Sequence, residues 1–390
     1  MKNISVVFFF FFSLLSFGQI DTGYAPVDAK MDAIPANSTI SVEAITRYIN
    51  ANFKTDKDKI RAAFYWTASN ISYDVANMFR VDFDETEQAN IAKTLQTKKG
   101  VCRHYASVFN SLTREIGIDS YVISGYTKQN NKVVNLAHAW TAAKIDGSWY
   151  MFDPTWGAGY LNKGKFYKKL NNAYFKVTAA NIIASHIPFD YLWQFLNYPI
   201  TNAEFYEGKI QVSKSKKYFD FEKEIVKYNA SSEIDQVFES TVRIEKNGLK
   251  NAMIVERYQE KKKELVYLRQ NKNIEKLNSI VVEMNGAVVL LNDFIHYRNR
   301  KFKPTFSDEE INNMIQIPRE KLTKCQNDIY GVESVGSENA SNLASIKKTI
   351  GAALAQAEEH DQFVKNYLSK SKIVRKTMFS KVSWYGVPLN

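Results

Sequence analysis

Apolar and polar positions divide the chain into a mixed first half and a helical second half. Residues 19–40 show no regular pattern and read as an irregular lead-in, followed by a short amphipathic helix over 41–50. Thr55 caps the next helix, with Asp56 and Asp58 in its first turn, and Ile60, Ala63, Phe64 and the Trp66 region carry it to about Asn70. Residues 74–97 are mixed and polar. After Lys98-Lys99-Gly100, the apolar positions Val101, Tyr105, Val108, Phe109, Leu112 and Ile116 recur at i, i+3/i+4 spacing, which predicts a strong helix ended by Gly117. The period then switches to two. Strands are predicted over Tyr121–Tyr126, His138–Ile145 and Trp149–Phe152, with turns at Asn130-Asn131 and Asp146-Gly147 and a stop at Asp153-Pro154.

Beyond about residue 210 the chain is charged, poor in glycine and helical. Leu277, Ile280, Val281, Met284, Ala287, Val288, Leu291, Phe294 and Ile295 make one apolar stripe, which is a packing seam and not a ligand site. Pro304 ends that helix. Ser307 and Glu310 form a capping box opening a short helix through Ile315, and another helix runs from about Asn339 to Leu368. The expected organisation is therefore an α+β domain over residues 40–205 and a helical domain of unassigned role over 215–390.

The 390 residues, 45% of them hydrophobic, suffice for two domains. The net charge of +11 is spread over both halves without a block of like charges. Such a balance serves solubility, with at most loose attraction to anionic surfaces such as envelope, nucleic acid or acidic proteins. Lys2, the apolar run Ile4–Phe17, and the small residues Ser16 and Gly18 ahead of Gln19 predict a signal peptide over residues 1–18. That run is too short for a membrane span, so the mature chain is expected to be periplasmic or extracellular, the rival being a retained N-terminal anchor.

In an oxidising compartment the two cysteines, Cys102 and Cys325, can form a disulfide. The five scattered histidines and the lack of a C-x-x-C pair argue against structural zinc, and neither nucleotide-binding glycine motif occurs. A catalytic cysteine needs thiolate character, a base, and a group that orients the base. Cys102 opens a helix, where free amides and the helix dipole favour an anion and supply part of an oxyanion hole, with Lys98, Lys99 and Arg103 nearby. Gly100 permits a close turn and leaves room for a substrate backbone. A two-residue turn at Asp146-Gly147 sets Trp140 opposite Asp153 and His138 opposite Thr155, placing His138 and Asp153 on one sheet face about 7 Å apart or less at Cβ. His104, two residues after Cys102, points away from it and reads as structural. His186 reads as a packing or hydrogen-bonding residue.

The stretches G-V-C-R-H-Y-A (100–106), A-H-A-W (137–140) and Y-M-F-D-P-T-W-G-A-G-Y (150–160) resemble the three motifs of the transglutaminase-like superfamily. Y-W-T-A-S-N-I-S-Y-D (65–74), Tyr174-Phe175, H-I-P-F-D (186–190) and L-W-Q-F-L (192–196) resemble its kyphoscoliosis-peptidase branch. The resemblance spans about residues 40–200. It implies a papain-like core, a helix bearing the cysteine packed on an antiparallel sheet. It further implies Cys102 as nucleophile, His138 as general base and acid, and Asp153 as the group orienting His138. The implied chemistry is acyl transfer through a thioester on peptide or protein amides, the acceptor being water or an amine. No metal or organic cofactor is required, and the sequence holds no D-x-[DN]-x-[DN]-G calcium loop. Trp66 and Trp140 are candidates to assist the oxyanion, with core packing as the plainer role for each. The expected partner is a protein or peptide, such as a cell-wall peptide, with the helical half positioning substrate or binding a protein. Two non-enzymatic alternatives are an adaptor built on the same fold and an envelope-binding protein acting through its basic surface.

Overall fold

The computed structural model describes residues 23–79, 86–211, 213–379, 383–384 and 387–388. The expected signal peptide lies outside them. Residue contacts divide the chain into one unit of Met1–Ser231 with Glu239–Tyr258 and another of Ser232–Phe238 with Gln259–Asn390.

The first unit is α+β. Five antiparallel strands lie in the order Val177–Thr178, Ser148–Phe152, Lys132–Ile145, Ser120–Gln129, His186–Pro188. Successive residues of the central strand go to opposite faces, as strand geometry requires. Ala143 and Ile145 join a core with Phe64, Phe109 and Phe152. Trp140 and Ala142 join a second core with Ile123, Met151 and Leu192. The helix Cys102–Glu115 buries Tyr105, Val108, Phe109 and Leu112, the face its spacing predicts, each side chain contributing about 2 kcal/mol. Thr141 Oγ1 ties the sheet to it by donating to the Ala106 carbonyl at 3.3 Å.

Both hairpin turns use left-handed residues, Asn130 and Asn131 (φ 50° and 59°) and Asp146 and Gly147 (φ 50° and 76°), the backbone that two-residue hairpins demand. Pairing runs from Ile145↔Ser148 to Thr141↔Phe152, the expected register. The ladder stops there. Pro154 has no N–H to offer, and the chain turns into the short helix Pro154–Ala158 with Asp153 as its N-cap. The expected pairs Trp140–Asp153 and His138–Thr155 are therefore not part of the ladder.

Two helices occupy stretches where the pattern predicts no helix, the lead-in 19–40 and the mixed, polar residues 74–97. Ala25–Asp32 is held by the buried Arg61, which donates to both Asp28 carboxylate oxygens at 2.7 and 2.6 Å. Glu87–Thr97 is capped by Thr86, and Glu87 accepts from Ser107 Oγ at 3.0 Å. Arg243 likewise pairs with both oxygens of Asp190, at 2.7 and 2.9 Å, so this unit reaches beyond residue 205.

The second unit is helical. Leu277, Met284, Leu291, Ile315, Leu322, Cys325, Ile350 and Val364 share its core, so the apolar stripe is the packing seam expected. The helix expected to stop near Ile315 extends over Asp308–Tyr330, with Pro318 buried inside it. The preceding helix, Ala252–Asn299, ends before Pro304, where Lys301 and Phe302 turn left-handed (φ 55° and 57°). Among the described residues, no helix is long and apolar enough to cross a membrane.

Candidate active site

Cys102 is the first residue of its helix and is half-buried. The helix's own hydrogen bonds begin with His104 N and Tyr105 N, both donating to the Val101 carbonyl at 2.9 and 3.2 Å. The amides of Cys102 and Arg103 precede them and carry the positive end of the helix dipole. His104 turns back on this start, its Nδ1 accepting the Val101 N–H at 3.0 Å. A Cβ on residue 100 would meet the His104 Cβ at 2.5 Å. Glycine at 100 is thus required by His104 itself.

His138 lies in the central strand and is hydrogen-bonded to Cys102, while the Ala139 N–H also reaches the sulfur. On its other side, His138 Nε2 donates to Asp153 Oδ2 at 2.7 Å. The structure thus brings Cys102, His138 and Asp153 together in that order. Asp153 reaches His138 as a helix cap and not as a ladder residue. Its Oδ1 accepts the Thr155 and Trp156 amides at 2.9 and 3.1 Å, which fixes the carboxylate on fully buried ground.

The charges follow from this packing. Burial works to raise Asp153, but the charge and hydrogen bond of His138, joined by His186, hold it well below the usual carboxylate range. Burial works to lower His138, and the Asp153 carboxylate and Cys102 together outweigh it, raising the imidazole to about 10. Burial likewise pushes the Cys102 thiol up; the hydrogen bond and charge of His138 and the Ala139 N–H override it and bring the thiol below its ordinary value. Both shifts favour the thiolate–imidazolium form of the pair. Tyr73, whose strand pairs with Gly100, is pushed up to about 12 by burial and then by the charges of Cys102 and Asp153.

Aromatic rings enclose the pair. Trp140 stacks on His138 at 6.1 Å between centroids, and Trp156 lies 5.6 Å from it. Trp66 sits beneath Lys98 Nζ at 4.5 Å. The indole N–H groups of Trp66 and Trp140 are buried and find no hydrogen-bond acceptor among the described residues. His186 stands within the site: its Nε2 reaches Asp153 Oδ2 at 3.1 Å. Trp156, Tyr174 and His186 lie in the quoted motifs, and His186 reads as a packing or hydrogen-bonding residue; its partner was not legible, since His186 lies 33 positions from Asp153 and meets it by strand pairing at the sheet edge.

One ring nitrogen each of His138 and His186 and an Asp153 oxygen lie within 4.8 Å of one another, a spacing that also suits a metal ion. Both nitrogens sit at hydrogen-bond distance from the same oxygen, 2.7 and 3.1 Å, so proton sharing accounts for the cluster.

Residues 43–154 match the model of the transglutaminase-like superfamily. The human kyphoscoliosis peptidase is 31% identical over 159 residues, 39% of this chain and 24% of that protein. A Caenorhabditis elegans protein named Lim and transglutaminase domain protein ltd-1 is 24% identical over 244 residues, 58% of this chain and 31% of that protein. The chain therefore spans about a quarter to a third of the length of these relatives. Among solved structures, a putative cysteine protease from Cytophaga hutchinsonii aligns with a TM-score of 0.24 and 21% identity, over 35% of this chain and 43% of that one.

Proposed function

From the premise that residues 43–154 are a transglutaminase-like domain, of the kyphoscoliosis-peptidase-like branch, we propose that this protein is a cysteine enzyme whose Cys102, His138 and Asp153 transfer the acyl group of a peptide or protein amide through a thioester. The observation that carries this is the line of hydrogen bonds Cys102–His138–Asp153, which draws the thiol down while it raises the imidazole.

The chemistry follows from those proton positions. The Cys102 thiolate attacks the amide carbonyl carbon, and the oxygen takes the electron pair. The amides at the start of the cysteine helix face the developing charge. His138 gives its proton to the leaving nitrogen, the C–N bond breaks, and a thioester on Cys102 remains. Water or an amine then attacks the thioester, His138 accepts its proton, and the thiolate departs. Asp153 stays ionised throughout and keeps Nε2–H of His138 engaged, so that Nδ1 faces the sulfur.

We assign the protein to the periplasm or the extracellular space, on the strength of the apolar run Ile4–Phe17. N-terminal sequencing of exported protein is expected to begin at Gln19; Met1 on the mature chain would overturn it. Activity is tested by incubating the folded chain with a peptide library, with and without a primary amine, and reading products by mass. Cleavage reports a peptidase, a gain of about one mass unit reports deamidation, and amine incorporation reports cross-linking. No product in any of the three, from folded protein, would overturn the enzyme and favour an adaptor.

A further inference from the structure

Asp153 Oδ2 accepts from two imidazoles, and His138 accounts for one of them. The other is His186, fully buried in the edge strand His186–Pro188. That strand is delivered by specific contacts. Thr127 pairs with His186, and Lys128 N donates to the Ser185 carbonyl at 2.8 Å. Gly125 lets the strand close in, since a Cβ there would meet the Ile187 carbonyl oxygen at 2.2 Å and the Pro188 Cα at 2.8 Å. Once delivered, the imidazole is walled by Trp156, Trp140 and Tyr174, at 4.6, 5.1 and 6.1 Å between centroids.

The proton positions are set by the partners. Asp153 is an ionised acceptor, so His186 Nε2 carries the hydrogen of the 3.1 Å bond. Its Nδ1 lies 2.8 Å from Ser185 Oγ. The charged groups facing His186 are Asp153 and the His138 imidazolium, whose ring is 5.5 Å away, with the Tyr174 phenol beyond. Burial, and then the His138 charge, lower His186 from its ordinary value, while Asp153 opposes them. The ring is therefore neutral at neutral pH. Nδ1 is an acceptor, and the Ser185 hydroxyl donates to it.

We propose that His186 is a positioning residue of this site: held at Nδ1 by Ser185, it clamps Asp153 Oδ2 with its Nε2–H so that the carboxylate keeps its lone pair on His138 Nε2. The two Asp153 oxygens then hold four donors, two amides on Oδ1 and two imidazoles on Oδ2. A carboxylate so saturated is held against rotation and resists protonation, and it keeps the His138 proton, and with it the Cys102 thiolate, in place. This role rests on the Cys102–His138–Asp153 chemistry proposed above.

The test is the rate of Cys102 alkylation by iodoacetamide as a function of pH, on the full chain, with Cys325 as internal reference. His186→Phe keeps a ring among the aromatics and removes the donor; His186→Gln returns an N–H at similar reach. For His186→Phe the rate at pH 7 is expected to fall about tenfold, the effect of one hydrogen bond to a charged group, and the acid limb of the profile moves to higher pH. His186→Gln is expected to recover to within about threefold of wild type. Ser185→Ala leaves the ring in place and carries the test should His186→Phe fail to fold; a loss of about threefold is expected for it. An unchanged profile in folded His186→Phe, or in Ser185→Ala where it stands in, or equal losses in the Phe and Gln variants, would overturn the positioning role and leave the triad standing. Wild-type Cys102 reacting no faster than Cys325 would overturn the triad chemistry itself, and this role with it.

Discussion

The two cysteines show how placement decides what a thiol is. Cys102 opens a helix, touches a charged imidazole, and sits below its ordinary pKa. Cys325 lies inside the helix Asp308–Tyr330, 2% exposed among Leu322, Ile329 and Ile350, and burial followed by the Glu283 and Asp328 charges pushes it up. Both are free thiols. A helix start and one imidazole separate a lowered thiol from a raised one. Burial pushes both thiols upward, and Cys102 alone has partners strong enough to reverse it.

The largest effect breaks the comparison outright. Cys102→Ala is expected to lower amide turnover by at least about four orders of magnitude, while Cys325→Ala leaves it unchanged; steady-state rates on any active peptide check both. Asp153→Asn is expected to cost roughly three orders of magnitude in turnover and about 3 kcal/mol of stability by urea denaturation, since it unpairs a buried ion. The Asp153 carboxyl is depressed in the folded state. Its stabilisation is present above the ordinary carboxylate pKa of about 3.9 and is lost as pH falls through the folded value. Wild type should therefore lose stability in acid more steeply than Asp153→Asn.

His138→Ala should make Cys102 resemble Cys325, with alkylation at neutral pH falling roughly a hundredfold as the thiol returns toward its ordinary pKa. The smallest change tests the other side. Cys325→Ser places a hydroxyl in an apolar core and is expected to cost about 1–2 kcal/mol by thermal or urea unfolding, with turnover unaltered.

Local patterns carried much of this molecule. The cysteine helix was legible from its apolar spacing, and the Asp146-Gly147 turn gave the register from Ile145↔Ser148 to Thr141↔Phe152. The three motifs pointed to a transglutaminase-like core, and residues 43–154 match that superfamily. What escaped the sequence depends on contacts distant along the chain. The helix Ala25–Asp32 has little amphipathic pattern and is held by Arg61. The ladder's end at Phe152 turns Asp153 from a strand residue into a cap that still reaches His138. Gly100 reads as a close turn, and the structure adds that the His104 side chain folds back over it. His186 was legible as a hydrogen-bonding residue, but its partner depends on a strand pairing across the sheet edge with Thr127.

The most direct measurement is a competition between the two thiols. The folded chain is treated with a limiting thiol-directed electrophile from pH 4 to pH 11, and Cys102 and Cys325 adducts are counted by mass. Cys102 is expected to react faster by roughly two orders of magnitude at neutral pH, over a plateau that begins below the ordinary thiol pKa and changes again as His138 deprotonates near 10. That preference should fall sharply in His138→Ala, leaving what the helix start and the greater exposure of Cys102 supply. Equal rates for the two cysteines in the wild type, or a Cys102 preference untouched by His138→Ala, would contradict the account.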